Sequence, residues 1–481
     1  MRVFVRDLFS VYATLAVNGA LSVVFVPVAV AWLGTAGYGL FSIYGALVGC
    51  LALAELGTGK NLARLLASDP TAVARCRRLQ VALSLYISLA GILLLTLPAF
   101  LWTVENLLFP VQPQYRPVVR WIGAISLVEY CLAIPTALRQ TFAIGTERLD
   151  RYSHFQFVSG LYRYGLMFAG VLAFHSPVAV VALVAARRFA DLFVAPRLMG
   201  DLPPGAWRPR FAVREMRAML TDSTVLSAAQ GLQTAGGALA SILVNRYFGI
   251  VGLGVYRSAF DLASRVWLFS NGLGLVVFPR FARLLADKEN RGKLLTQMRV
   301  FVRASWIAYN LLAAAGVLAA PLLMPLFRRE QGIIAIFTLL FLALCINGHA
   351  NVSNELVLAG GRYALAAAIY GVALTILLLA FALLKPVAGL LAAGWAWLIS
   401  QAIFAALMDA AACSGGSSWG RTQLRLLAFK GVVLVVSITP VCAYFGFLPA
   451  IFQHISLALL SVLFLHAMRQ LRLKEAWGTS A

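Results

Sequence analysis

Apolar stretches of about 20 residues, the length a helix needs to cross a bilayer, follow one another along the whole chain with short polar turns between them. They fall at 9–33, 38–57, 79–103, 117–137, 153–174, 176–196, 219–247, 255–279, 300–320, 332–358, 364–384, 386–411, 427–447 and 449–468. The pattern predicts an all-α polytopic membrane protein of about fourteen transmembrane helices. The sixth stretch is the least apolar because it holds Arg187, Arg188 and Asp191; the two arginines are expected to mark its cytoplasmic side. Lys385-Pro386 separates the eleventh stretch from the twelfth.

Two parts of this pattern match each other. Residues 18–47 and 233–262 each read as an apolar run, then Gly-x-x-Gly-x-Gly, then a second apolar run. Gly34, Gly37 and Gly39 pair with Gly249, Gly252 and Gly254 at an offset of about 215 residues, and the same offset pairs Asp7 with Asp222 and Asn18 with Gln233. A spacing this long indicates a duplicated half. The expected architecture is two pseudo-symmetric six-helix lobes, 1–196 and 219–411, joined by a linker at 197–218, with two further helices and a tail in 412–481. Parallel repeats of membrane helices are an architecture of transporters, whose substrate lies between the halves. Proline or glycine inside several spans (Pro27, Pro135, Gly236, Gly237, Gly272, Gly274, Pro440) suits helices that bend or break.

Composition agrees. Of 481 residues, 61% are hydrophobic and 12% charged, and the mean hydropathy is +0.85; soluble domains are far more charged. The net charge of +22 comes from 40 Lys and Arg against 18 Asp and Glu. With both termini cytoplasmic, the basic residues divide roughly 28 to 6 in favour of the cytoplasmic segments, a positive-inside distribution. The excess charge is therefore read as topology and attraction to anionic lipid, and nucleic acid is not an expected partner. The basic, apolar N-terminus is expected to remain as the first helix. Six cysteines show no C-x-x-C spacing, so neither disulfides nor a zinc site is expected. Gly57-Thr58-Gly59-Lys60-Asn61 fails as a phosphate-binding loop, since Ala54 and Asn61 stand where glycine and a hydroxyl residue are needed. No cofactor, metal or catalytic residue is expected; His349 alone makes no metal site.

Charges at membrane depth are the candidate chemistry, because they are costly there. Arg257, Asp261 and Arg265, four residues apart, share one face of the eighth span. The guanidinium fork matches phosphate oxygens. Arg163 lies near the middle of the fifth span; Arg303 opens the ninth. Glu55, Glu129 and Asp261 are candidates for ion coupling or for pairing with arginines. Asn347, His349, Asn351, Ser353, Asn354 and Glu355 make the tenth span polar, as cavity lining that reads sugar hydroxyls or as interhelical hydrogen bonding.

The Leu33-Gly34-Thr35-Ala36-Gly37-Tyr38-Gly39-Leu40 segment with Asn18 before it and Glu55-Leu56-Gly57 after it resembles the polysaccharide-biosynthesis (Wzx-type) flippases. So does Phe248-Gly249 through Gly252-Leu253-Gly254-Val255-Tyr256, with Phe278-Pro279-Arg280 closing the eighth span. The superfamily also holds lipid II flippases and multidrug and toxin extrusion transporters. The resemblance implies a non-enzymatic, alternating-access flippase of the bacterial cytoplasmic (inner) membrane. It would carry undecaprenyl-diphosphate-linked oligosaccharide from the cytoplasmic to the periplasmic leaflet for O-antigen, exopolysaccharide or capsule synthesis. Arg163, Arg257 and Arg265 would contact the diphosphate, with Asn18 and Gln233 in the cavity, and a polymerase and glycosyltransferases of the same pathway would be partners. A lipid II flippase or multidrug exporter, and an integral-membrane polymerase or transferase, are the alternative readings.

Overall fold

A computed structural model describes residues 2–54, 59, 62–63, 65–66, 71–146, 148–268, 270, 274, 281, 305, 308–310, 312–313, 316, 323–327 and 331–413. The described chain is almost wholly helical: α1 Arg2–Ala54, α2 Ala72–Leu95, α3 Leu97–Thr103, α4 Arg116–Gly145, α5 Leu149–Phe174, α6 Pro177–Met199, α7 Val213–Ala263, α8 Gln331–Ala359, α9 Tyr363–Ala388 and α10 Ala392–Cys413. Among the described residues, seven helical segments are long and apolar enough to cross a membrane. The last two expected spans, most of the ninth and much of the eighth lie outside the described residues, as do Glu55 and Arg303. The chain divides into two units, Met1–Ser258 and Ala259–Ala481.

In the first unit, α1 packs on α4 and α5, and α6 packs on α4 and α5. The first two expected spans form one element, α1, broken at Gly34, and the seventh and the start of the eighth form α7, broken at Gly249. The two breaks share a conformation (φ 72, ψ 169 and φ 68, ψ −172) open only to glycine. Residues paired by the sequence offset thus adopt the same backbone geometry. Beyond each break the helices touch backbone to backbone. A Cβ at Gly39 would stand 2.3 Å from the Ile250 carbonyl oxygen, and one at Gly254 would stand 1.9 Å from that of Thr35. Glycine lets the two repeats approach this closely, so dispersion and Cα–H contacts replace side-chain packing.

The 200–212 segment folds against the ends of α2 and α4. Leu202 and Ala206 are buried with Leu79, Leu83, Tyr86, Leu138 and Phe142. Gln80 spans the contact, its amide donating to the Gly205 carbonyl (3.0 Å) and its own carbonyl accepting from the Arg210 N–H (3.3 Å). Arg139 lies over the Trp207 ring at 4.7 Å. Glu215 closes the arrangement, accepting two hydrogen bonds from Arg77 (2.9 and 2.5 Å) with Arg210 3.5 Å away.

In the second unit, α8 packs on α10, and α9 on α10. After Ala263 the helix loosens into a turn at Ser264–Arg265. There the Ser264 hydroxyl and Arg265 Nε both donate to the Asp261 carbonyl (3.0 and 2.9 Å), satisfying a group the break would orphan. Phe260, Trp267 and Trp397 pack together beside it.

Two measurements test this packing. Gly254→Ala should destabilise the detergent-purified protein by about 1–3 kcal/mol through overpacking, whereas Gly91→Ala, with open space at its Cβ position, should leave the thermal midpoint unchanged or slightly raised; equal midpoints for both variants would contradict the close crossing. The hydrogen-bonded Arg77 guanidinium holds the Glu215 carboxyl below its ordinary range. A carboxylate with a depressed folded-state pKa stabilises above its unfolded pKa, and that contribution disappears as pH falls through the folded value. Hydrogen-exchange protection of residues 203–210 should therefore drop in acid, and Glu215→Gln should lower it already at neutral pH. Unchanged protection in that variant would show that the latch holds nothing.

Candidate functional site

The α5–α6 hairpin builds the site. His175 in the left-handed region (φ 51) ends α5, and Pro177, whose missing N–H costs nothing in a first turn, begins α6. In such an antiparallel pair, residues equally far from the turn stand at the same height. Arg163 and Arg187 are equidistant from His175; so are Tyr162 and Arg188, and Ser159 and Asp191. At 1.5 Å per residue, Arg187 lies roughly 15 Å into α6, near its middle. α6 runs from Pro177 to Met199, so Arg187 and Arg188, expected to mark its cytoplasmic side, sit near its middle.

The two acids of this region have different surroundings. Asp191, with no exposed surface, is surrounded: Oδ1 accepts from the Ser159 hydroxyl (3.0 Å) and the Tyr162 hydroxyl, and Oδ2 faces Arg188 Nη1 at 3.3 Å. Glu129, at the middle of α4 and 2% exposed, bridges three elements. Its Oε1 accepts from Arg188 Nε at 3.0 Å and lies 3.6 Å from Arg187 Nη2, and its Oε2 accepts from the Tyr44 hydroxyl of α1 at 2.5 Å. The side chains of Arg187 and Arg188 stay 11% and 18% exposed. Arg163 lies within electrostatic reach of Tyr44 and Arg187; among the described residues its contact is the Tyr164 ring, and its buried Nε has no hydrogen-bond partner. Three guanidiniums thus meet two carboxylates, leaving one positive charge and a surplus of N–H donors. Such a cluster can bind an anion rich in oxygen.

The other expected residues lie elsewhere. Arg257 places its guanidinium beside Gly45 of α1, the neighbour of Tyr44, with Nη2 3.3 Å from where a Cβ would stand. Arg265 is folded back onto the Asp261 carbonyl. Asn18 lies flat on α5: a Cβ at Gly160 would overlap its amide, which donates to the Gln156 carbonyl at 3.5 Å. The side chain of Gln233 lies outside the described residues. In the second unit the amides of α8 face neighbouring helices. Asn347 donates to Gln401 (2.6 Å), Asn351 to the Ser270 carbonyl (2.8 Å) and Asn354 to Glu355 (3.4 Å), while the Tyr370 hydroxyl donates to Asn354 (2.8 Å). Ser353 donates to the buried Asp409 (2.6 Å), and His349 packs on the Tyr309 ring.

Arg187, Arg188, Asp191, Tyr44, Tyr162 and Ser159 are absent from the sequence-based site. The equal spacing of Arg187, Arg188 and Asp191 against Ser159, Tyr162 and Arg163 across His175 is the signal that would have found most of them. Tyr44 carries no such mark, being one tyrosine in an apolar run.

The fold is similar to those of solved transporters. An outward-facing multidrug resistance MATE family transporter of the MOP superfamily superposes with a TM-score of 0.63 at 13% identity, over 88% of this chain and 96% of that one. An inward-facing one gives 0.65 at 15% identity, over 85% and 95%. A MOP superfamily transporter from Pyrococcus furiosus, described by the reverse polarity of its binding pocket, gives 0.63 at 15%, over 88% and 94%. No curated protein matches the sequence. The model of the polysaccharide biosynthesis protein family matches residues 4–285, more than half of the chain, and the chain belongs to that family.

Proposed function

We propose that this multi-pass membrane protein is a flippase that carries an undecaprenyl-diphosphate-linked oligosaccharide from the cytoplasmic to the periplasmic leaflet, in the bacterial inner membrane, for synthesis of a surface polysaccharide. The observation that carries the reading is the arginine cluster at the middle of α5 and α6, net positive and short of acceptors. A diphosphate supplies the missing oxygens in a geometry that guanidiniums bind in pairs. Arg257, beside Gly45 of α1, is a further guanidinium of the first unit. The lobes of this reading are 1–196 and 219–411 on either side of the 197–218 linker, both termini are cytoplasmic, and the substrate's lipid tail stays in the bilayer while the lobes alternate. The polymerase and glycosyltransferases that use and make the substrate are the natural partners.

The similarity of fold to multidrug transporters favours drug export as the second reading. Charge separates the two, since a cationic drug is repelled by a cluster whose arginines outnumber its acids. A chemical role in polymerisation or group transfer finds no support in a site made of guanidiniums, hydroxyls and fully paired carboxylates.

Cells lacking the protein should accumulate radiolabelled lipid-linked oligosaccharide in the cytoplasmic leaflet. The wild-type chain should clear it, while Arg163→Ala and Arg257→Ala, at equal membrane abundance, should lower the flipping rate about tenfold or more, as expected for loss of a charge-assisted phosphate contact. Normal arrival of label at the outer leaflet in the deletion strain would overturn the flippase reading.

A further inference from the structure

We infer that Glu129 is the resident counter-anion of the arginine site: its carboxylate occupies the guanidiniums while the site is empty, and a phosphate group replaces it there. This rests on the reading of the cluster as a phosphate site.

The two acids of the cluster differ in how they are held. Both Asp191 oxygens are engaged and the residue has no exposed surface, with Ser159, Tyr162 and Arg188 all closing on it. It is a fixed part of the α5–α6 hairpin. Glu129 reaches the arginines from a third helix. A single oxygen, Oε1, serves both of them, at a bonded 3.0 Å to Arg188 and a looser 3.6 Å to Arg187. The second oxygen is turned away toward the Tyr44 hydroxyl. Arg187 Nε and Arg163 Nε remain buried without acceptors. Each guanidinium has five N–H donors, so Glu129 Oε1 together with the Asp191 Oδ2 contact of Arg188 leaves the set far from satisfied. A phosphate, with several oxygens around one centre, can take the position of that oxygen and reach the unfilled donors as well.

A carrier needs this arrangement for a physical reason. Bare arginines at membrane depth would hold a diphosphate too firmly to release it, and after release would leave uncompensated buried charge. A carboxylate on a neighbouring helix neutralises the empty site and competes for the filled one. Apparent affinity is then the intrinsic affinity reduced by the fraction of sites Glu129 leaves open. Tyr44, on a helix distinct from all the arginines, gives the displaced carboxylate a donor to rest on.

The test uses the purified full-length chain in detergent with farnesyl diphosphate as probe, read by calorimetric titration and by thermal midpoint. Arg187→Ala should weaken binding about tenfold or more, as truncating one partner of a buried charge pair does. Glu129→Gln should act in the opposite direction, tightening binding about threefold or more because the competitor is gone. It should also lower the midpoint of the empty protein and enlarge the rise on adding the probe, while flipping in cells slows because release is impaired. Glu129→Asp, a shorter reach with the charge retained, should show the same sign to a smaller degree, which covers the case in which the glutamine variant does not fold. Weakened or unchanged binding in these Glu129 variants, with Arg187→Ala still weakening it, would overturn the inference and make Glu129 a brace for the arginines. If the wild-type chain does not bind the probe and Arg187→Ala changes nothing, the phosphate reading itself fails.

Discussion

A guanidinium at the middle of a membrane-length helix must find acidic or hydroxyl partners inside the protein, because lipid offers none. This constraint organises the first unit. Arg187 and Arg188 of α6 pair with Glu129 on α4, Arg188 pairs also with Asp191 on α6, and the second Glu129 oxygen accepts from Tyr44 on α1, while Ser159 and Tyr162 of α5 donate to Asp191. Four helices are thereby fixed in rotation about their axes, since turning any of them would break an ion pair or a hydrogen bond of the cluster. An apolar core alone would tolerate such slippage, because one aliphatic face packs much like another.

The glycine pairs solve a different part of the same problem. Helices that must pass each other without a hydrophobic driving force gain from close backbone approach. Gly39 and Gly254 bring the repeats to a separation at which no side chain fits, and the breaks at Gly34 and Gly249 aim the helices into that crossing. The duplication read in the sequence is therefore present as duplicated conformation. Polar groups in the second unit follow the other half of the rule: amides of α8 hold neighbouring helices, and the break at Ser264–Arg265 is capped by side chains of its own turn.

The docked 200–212 segment shows how a linker can be part of a unit. Leu202 and Ala206 are too few to fold by themselves, but the ends of α2 and α4 already expose a matching apolar surface, and Gln80 satisfies backbone groups on both sides of the contact. Its sequence, rich in proline, glycine and arginine, reads as a free tether for the same reason that it docks: the apolar positions are isolated and owe their burial to neighbours distant in the chain.

The amino-acid sequence by itself determined the membrane class, the helical content, the duplicated glycine pattern and the place of Arg163 near the middle of its helix. All of these depend on local quantities, hydropathy summed over about 20 residues and the conformational demands of glycine. Arg187, Arg188 and Asp191 lower the hydropathy of α6, and the structure pairs Arg188 with both Glu129 and Asp191. Tertiary structure alone decided which acid meets which arginine, that Asn18 lies against Gly160 and Arg265 against its own helix break, and that a tyrosine of α1 joins the cluster. Ion pairs depend on which faces of distant helices meet, and electrostatic energy falls off over a few ångströms, so no window of sequence contains the information.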